Sequence, residues 1–180
     1  MQVFSDPHIS IGSLPDITAI KVLLNSAYRG ESSKQGWTTE AYLIEGEIRT
    51  NENDLQELMT QAGTVFLLYT SNDGTINGCV KLQQTGSRIH LGMLSVSPIL
   101  QGAGTGKKIL SAAEEYAVNI DCYCIYMSVI SVRIELIGWY LRRGYRDTGE
   151  RKPFLEDGYS GKHRQPLEFM ILEKRLIKRN

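Results

Sequence analysis

The sequence predicts an α+β fold, a mixed and mostly antiparallel sheet flanked by helices. Three observations carry that expectation. Strand-like segments in the middle of the chain follow one another across short turns, as antiparallel neighbours do. Strands nearer the end are separated by helical segments, which adds helices to the faces of the same sheet. The 180 residues, 42% hydrophobic and 22% charged, have the balance of one packed domain spanning residues 1–180.

Each element has a local reason. Ile9 to Gly12 is a short alternating strand. Ser13-Leu14-Pro15-Asp16 then reads as a helix start: Ser13 can cap, Pro15 sits in the first turn, and Asp16 suits the positive helix end. Ile17, Ile20, Leu23, Leu24 and Ala27 follow at helical spacing. Tyr28 to Glu47 is polar, contains glycine, and reads as a long connection of the kind that often binds ligands. Thr50 or Asn51 caps a second helix through Leu55, Leu58, Met59 and Ala62, stopped at Gly63.

Val65 to Tyr69 is a buried strand, Asn72-Asp73-Gly74 a hairpin turn, and Ile76 to Gln84 the return strand. Thr85-Gly86-Ser87 turns again into a strand from Arg88 to Val96. A helix is expected from about Gly104 to Asn119, a strand from Cys124 to Val129, and a helix from Val132 to Arg142 ended by Gly144. Tyr145 to Glu150 and Leu167 to Lys174 read as the closing strands, with Pro153 to Pro166 as loop between them.

Composition narrows the function classes. Twenty basic residues face twenty acidic ones, which argues against a chain-wide electrostatic hold on nucleic acid. No segment approaches the ~20 apolar residues that span a bilayer. The first dozen residues carry Asp6 and His8 and lack the pattern of a signal peptide. Cys79, Cys122 and Cys124 are odd in number and form no C-x-x-C clip, so they read as reduced core residues of a cytoplasmic protein. No His/Cys/Asp cluster has metal-ligand spacing, so no metal is expected.

The chemistry concentrates between Leu94 and Leu110. An apolar strand ends, Pro98 stops it, and a glycine-rich turn opens a helix. Glycines there admit a close ligand, and free amides at a helix start suit a phosphate or pyrophosphate. Lys107 and Lys108 add positive charge despite the unfavourable helix dipole. A Walker A loop fails, because Gln101 stands where its first glycine belongs and Lys108 follows Lys107. A dinucleotide fingerprint fits Gly102 and Gly104 but meets Lys107 at its third glycine. A purely structural turn is the bland alternative.

The stretch Gln101-Gly102-Ala103-Gly104-Thr105-Gly106 is similar to the Q/R-x-x-G-x-G/A motif of the GNAT superfamily of N-acetyltransferases, preceded as in that family by Leu94-Ser95-Val96 and Pro98. A second segment, Arg133 to Tyr145, resembles the family's N-x-x-A-x-x-L/F-Y-x-x-x-G-F/Y pattern through Tyr140, Gly144 and Tyr145. Arg133 stands at the usual Asn, Leu136 at the Ala and Trp139 at the Leu or Phe. The resemblance is strong over roughly residues 64–150.

It implies acetyl-coenzyme A as cosubstrate. The amides of Gln101, Gly102, Ala103, Gly104, Thr105, Gly106 and Lys107 would hold its pyrophosphate, and Leu94, Ser95 and Val96 would pair with the pantetheine arm, where the fourth and fifth strands diverge. Tyr140 would be the general acid that protonates the departing sulfur, since a phenol is protonated at neutral pH. A backbone amide near Ser95 or Val96 would face the oxyanion. No cysteine has an evident His partner, so direct attack by a neutral amine is expected.

The general base is open among Glu31, Glu40, Glu45, His90 and a water chain. Trp37, Tyr42 and Tyr28 either line an acceptor pocket or simply pack. His163 has no expected role. The expected partner is a small-molecule amine acceptor such as an amino acid, with a peptide or protein amine as runner-up and a non-catalytic acyl-coenzyme A sensor as the rival class. Arg146, Arg151, Lys152 and the loop to Pro166 read as a solvated face, with a homodimer contact or an acidic acceptor as the alternatives.

Overall fold

The computed structural model describes residues 4–177. Among these residues seven strands form one sheet in the order β1-β2-β3-β4-β5-β7-β6: β1 (Ile9–Ile11), β2 (Thr64–Thr70), β3 (Ile76–Thr85), β4 (Arg88–Val96), β5 (Cys124–Ile130), β6 (Arg146–Phe154) and β7 (Leu167–Arg175). Every adjacent pair is antiparallel except β4 and β5. The helices are α1 (Ile17–Tyr28), the single turn α2 (Gly30–Ser33), α3 (Glu52–Thr60), α4 (Thr105–Asn119) and α5 (Ile134–Leu141). No helix among the described residues is long and apolar enough to cross a membrane.

The sheet divides two packed layers. Alternate residues of each strand face opposite sides. Leu67, Val80, Leu82, Ile89 and Leu91 meet Ile109, Leu110 and Ala113 of α4 on one face. Phe66, Leu68 and Cys79 meet Ile20, Leu24 and Leu55 of α1 and α3 on the other. Gly78 lets α4 sit close to β3, because a Cβ there would overlap Ile109 Cδ1.

Several boundaries differ from the sequence reading. The long connection contains α2, a turn too short for a hydrophobic period to reveal. Asn51 is the cap of α3, accepting from the Asp54 amide at 2.9 Å, but the helix stops at Thr60 rather than Ala62. Ser13 caps nothing with its hydroxyl; the Asp16 carboxylate instead reaches back to the Ser13 amide at 2.8 Å. Helix α5 begins at Ile134 and ends at Leu141, inside the expected Val132–Arg142 span. The largest correction is β6, which continues through Pro153 to Phe154, into the expected loop. Proline is tolerated because β6 is the outermost strand, with one side free of pairing.

Two irregularities of β4 position the site. Its parallel pairing with β5 covers only Arg88 to His90, after which the two strands splay apart. Its pairing with β3 shifts between Cys79/Ser95 and Lys81/Gly92, leaving a bulge at Met93, whose φ is 53°.

Candidate active site

The bulge is held from behind by side chains. The Met93 carbonyl accepts from Ser95 Oγ at 3.2 Å and from the Cys79 thiol at 3.8 Å. The Leu94 carbonyl accepts from the Tyr28 hydroxyl, carried in by the last residue of α1. Burial pushes the Tyr28 phenol above its ordinary value, so it stays a donor at neutral pH. Sequence reading offered Tyr28 only as an acceptor-pocket or packing aromatic and Cys79 only as core, because a contact to a distant backbone carbonyl leaves no local signal.

Beyond the bulge, the chain turns at Pro98–Leu100 and runs through the glycine loop into α4. Gly102 and Gly104 have φ of 88° and 91°, left-handed values that other residues rarely adopt, and a Cβ on either would meet only open space. Gly104 is the N-cap residue and supplies no side-chain bond to the helix amides. The helix ladder takes up the Lys108 amide, bonded to the Gly104 carbonyl at 3.1 Å. The amides before it stand ahead of the helix ladder, at the positive end of a 15-residue helix.

A cleft of about 310 Å³ opens beside this loop. Of the residues assigned to the cosubstrate or the general acid in the sequence, Leu94, Val96, Gln101, Gly102, Gly104, Gly106, Lys107 and Tyr140 line it. Ser95 is buried behind the strand, Ala103 is exposed on the loop, and Thr105 is buried at the start of α4; none of the three is a wall of the cleft. Gln101 is engaged through its side chain: its amide donates to Thr38 Oγ1 at 2.8 Å and to the Val96 carbonyl at 3.0 Å, and its oxygen accepts from the Thr38 amide at 3.2 Å. Gly36 makes room for that clamp, since a Cβ there would overlap the Gln101 carboxamide.

The opposite wall comes from α5. Tyr140 is 4% exposed, edge-on to both Trp139 and Tyr145. Burial holds its phenol well above the ordinary value of 10.0, so it is protonated across the neutral range. Trp139 faces Trp37, placing Trp37 on the glycine-loop side of the molecule. Arg142 and Arg143 also line the cleft, and Arg143 lies flat on the Trp139 ring at 3.7 Å. With Lys107 they make this end of the cleft cationic. Their signal in the sequence was their place two and three residues after Tyr140, one helical turn from the cleft.

The connection after α1 is strapped down by charge. Glu40 is buried and pairs with Arg29, with Arg133 at 3.1 Å, and more distantly with Arg49 at 3.7 Å. Burial alone would raise the Glu40 carboxyl; the guanidiniums of Arg49, Arg133 and Arg29 outweigh it and hold the carboxyl below its ordinary value. Arg133 also donates to the Thr38 carbonyl, so the residue at the family's Asn position fastens the loop to α5.

The remaining candidates lie apart. Glu31 pairs with Lys34 and Glu45 with Arg164, both at exposed positions. His90 packs edge-on against Tyr126, outside the cleft walls, and burial lowers its pKa to about 4 with help from Lys81 and Lys152. Tyr42 is 67% exposed. His163 rests against Phe154. The three cysteines are free and buried, and burial pushes the Cys79 thiol to about 12.

The cleft borders further cavities at the sheet. Tyr28, Leu94, Arg133, Leu136 and Tyr140 are shared with an inner chamber of about 90 Å³, between the splayed β4 and β5. That chamber in turn shares Arg49, Met93, Phe154 and Phe169 with a wider one of about 720 Å³ on the far side. The bulged segment, Met93 and Leu94, therefore lines cavities on both sides.

A family model described as an acetyltransferase (GNAT) domain matches residues 44–161. No curated protein matches the chain. Among solved structures, the ribosomal-protein-S18-alanine N-acetyltransferase of Escherichia coli is 13% identical over 96% of this chain and 95% of its own, with a TM-score of 0.70. The ribosomal-protein-alanine N-acetyltransferase of Brucella melitensis is 15% identical over 93% and 99%, with a TM-score of 0.69. A GNAT-family acetyltransferase of Staphylococcus aureus is 15% identical over 94% and 98%, with a TM-score of 0.66. At such identities the likeness is one of fold.

Proposed function

The chain belongs to the GNAT family of acetyl-coenzyme A-dependent N-acetyltransferases, and we propose that it acetylates the primary amine of a small molecule or amino acid by direct transfer. The observation that carries this reading is a cleft running from an uncapped, glycine-framed helix start to a buried, protonated tyrosine beside a bulged strand.

The residues present suit the cosubstrate. The amides from Gln101 to Lys107 would hold its pyrophosphate, with Lys107, Arg142 and Arg143 adding charge. The edge of β4 freed by its divergence from β5, at Leu94 to Val96, would take the pantetheine arm as an added strand. Acetyl-coenzyme A supplies an acetyl group already activated as a thioester. As the new C–N bond forms and the C–S bond breaks, Tyr140 gives its proton to the departing sulfur and recovers one from solvent, while the amine releases a proton to solvent. Amides of the bulged segment are the donors available to the acyl oxygen, because its carbonyls at Met93 and Leu94 are turned away and satisfied.

The thiol of Cys79, the cysteine nearest the bulge, is held protonated by burial, which supports direct transfer over a thioester formed on it. The narrow inner chamber supports a slender acceptor arm. Calorimetry with coenzyme A, followed by thiol release from acetyl-coenzyme A against an amine panel, tests the reading. Saturable heat and amine-dependent release are expected. An absence of heat at millimolar coenzyme A, or tight binding with no release across amines and peptides, overturns it.

A further inference from the structure

The charge balance behind the bulge is uneven. One carboxylate, Glu40, serves three guanidiniums, and two of their nitrogens, Arg29 Nη2 and Arg49 Nε, are buried without a hydrogen-bond partner. A surplus of buried cation with unused donors is costly unless an anion completes it. Arg29 is wholly enclosed and also donates to the Ser160 carbonyl at 3.3 Å, so it acts from behind. Arg133 is committed to Glu40 and Thr38.

Arg49 is placed differently. Its side chain is 22% exposed, it lines both the inner and the outer chamber, and its hold on Glu40 is the longest of the three. Its guanidinium lies 4.3 Å over the Tyr28 ring, and the hydroxyl of that ring reaches the Leu94 carbonyl at the bulge. A single phenol thus measures the separation between this cation and the reacting position. The outer chamber has acidic walls at Asp54, Glu57 and Asp157, and Asp157 is already occupied by the amides of Tyr159 and Ser160. Arg49 is the cation shared by the two chambers.

We propose that the acceptor is a short amino acid whose carboxylate pairs with Arg49, setting its amine a few bonds away at the bulge. This rests on the acetyltransferase reading and narrows it to amines carrying an anionic group. A planar fork matches a carboxylate in two bonds, so the site selects for the charge and fixes its orientation.

The test compares each of the common amino acids with its carboxamide, its decarboxylated amine, its phosphonate analogue and a diamine of equal length, using full-length protein and thiol release from acetyl-coenzyme A. At least one carboxylate acceptor is expected to exceed its carboxamide and its decarboxylated amine by tenfold or more in kcat/KM. Arg49→Gln is expected to collapse that ratio towards one, and Arg49→Lys to keep part of it. A better phosphonate than carboxylate would overturn the assignment to carboxylate, and a better diamine would assign the pocket to its acidic walls. An unchanged ratio in Arg49→Gln, with its melting temperature near wild type, removes Arg49 from the account. If that variant does not fold, the Arg49→Lys and wild-type ratios still decide. Coenzyme A heat with no carboxylate acceptor turned over sinks this inference alone, whereas no heat sinks the acetyltransferase reading beneath it.

Discussion

The surroundings of Tyr140 support its proposed role as general acid. A phenol on an amphipathic helix is ordinarily packing, but here it is buried at the junction of two chambers with its proton firmly held. Removing the hydroxyl leaves the ring contacts with Trp139 and Tyr145 in place. Tyr140→Phe is therefore expected to keep coenzyme A affinity and melting temperature while lowering kcat by about a hundredfold or more, the scale of a lost general acid. Steady-state kinetics beside calorimetry separates the two quantities, and full turnover in the variant would remove Tyr140 from the chemistry. Its place in the resembling segment was visible in the sequence. The cleft that its ring borders was not.

At the scale of elements, the connection from Arg29 to Arg49 is the part that sequence periodicity could not resolve. It is ordered by ties to distant segments. Gln101 clamps Thr38, Arg133 holds Glu40 and Thr38, Arg29 reaches Ser160, and the backbone pairs Glu45 with Lys162 and Leu43 with Arg164. Glu40 is the centre of this arrangement. Glu40→Gln leaves three guanidiniums facing one another, and breaking a buried ion pair of this kind costs about 3–5 kcal/mol. Chemical denaturation of the variant measures that loss. A change below about 0.5 kcal/mol, the scale of an ordinary surface substitution, would show that the cluster is not structural.

For the whole molecule, acid is the vulnerable direction. His90 is neutral when folded, with a pKa lowered to about 4 from 6.5, so the unfolded chain binds more protons between those values. Its contribution to stability is complete above 6.5 and is lost as pH falls towards 4. Glu40, also depressed, adds its contribution above its ordinary value of 4.5 and loses it below. Melting temperature is expected to fall from about pH 6.5 downwards, and His90→Asn to flatten the upper part of that decline. A melting temperature independent of pH between 4 and 6.5 would contradict the neutral, buried His90.

The sequence by itself determined the sheet-and-helix plan and the glycine loop that opens on the cleft. Those features are local: turn glycines such as Asn72-Asp73-Gly74, the periodic apolar face of α4, and the Gln101 to Gly106 run are each read within one element. The tertiary structure alone decided what closes the site. The bulge at Met93 depends on Tyr28 and Cys79 from other elements, the Arg49 pocket on four charges spread over more than a hundred residues, and the run of β6 through Pro153 on its place at the sheet edge, where it pairs with β7 alone. Charge pairing and strand order act between segments far apart in the chain, and no window of sequence contains both partners.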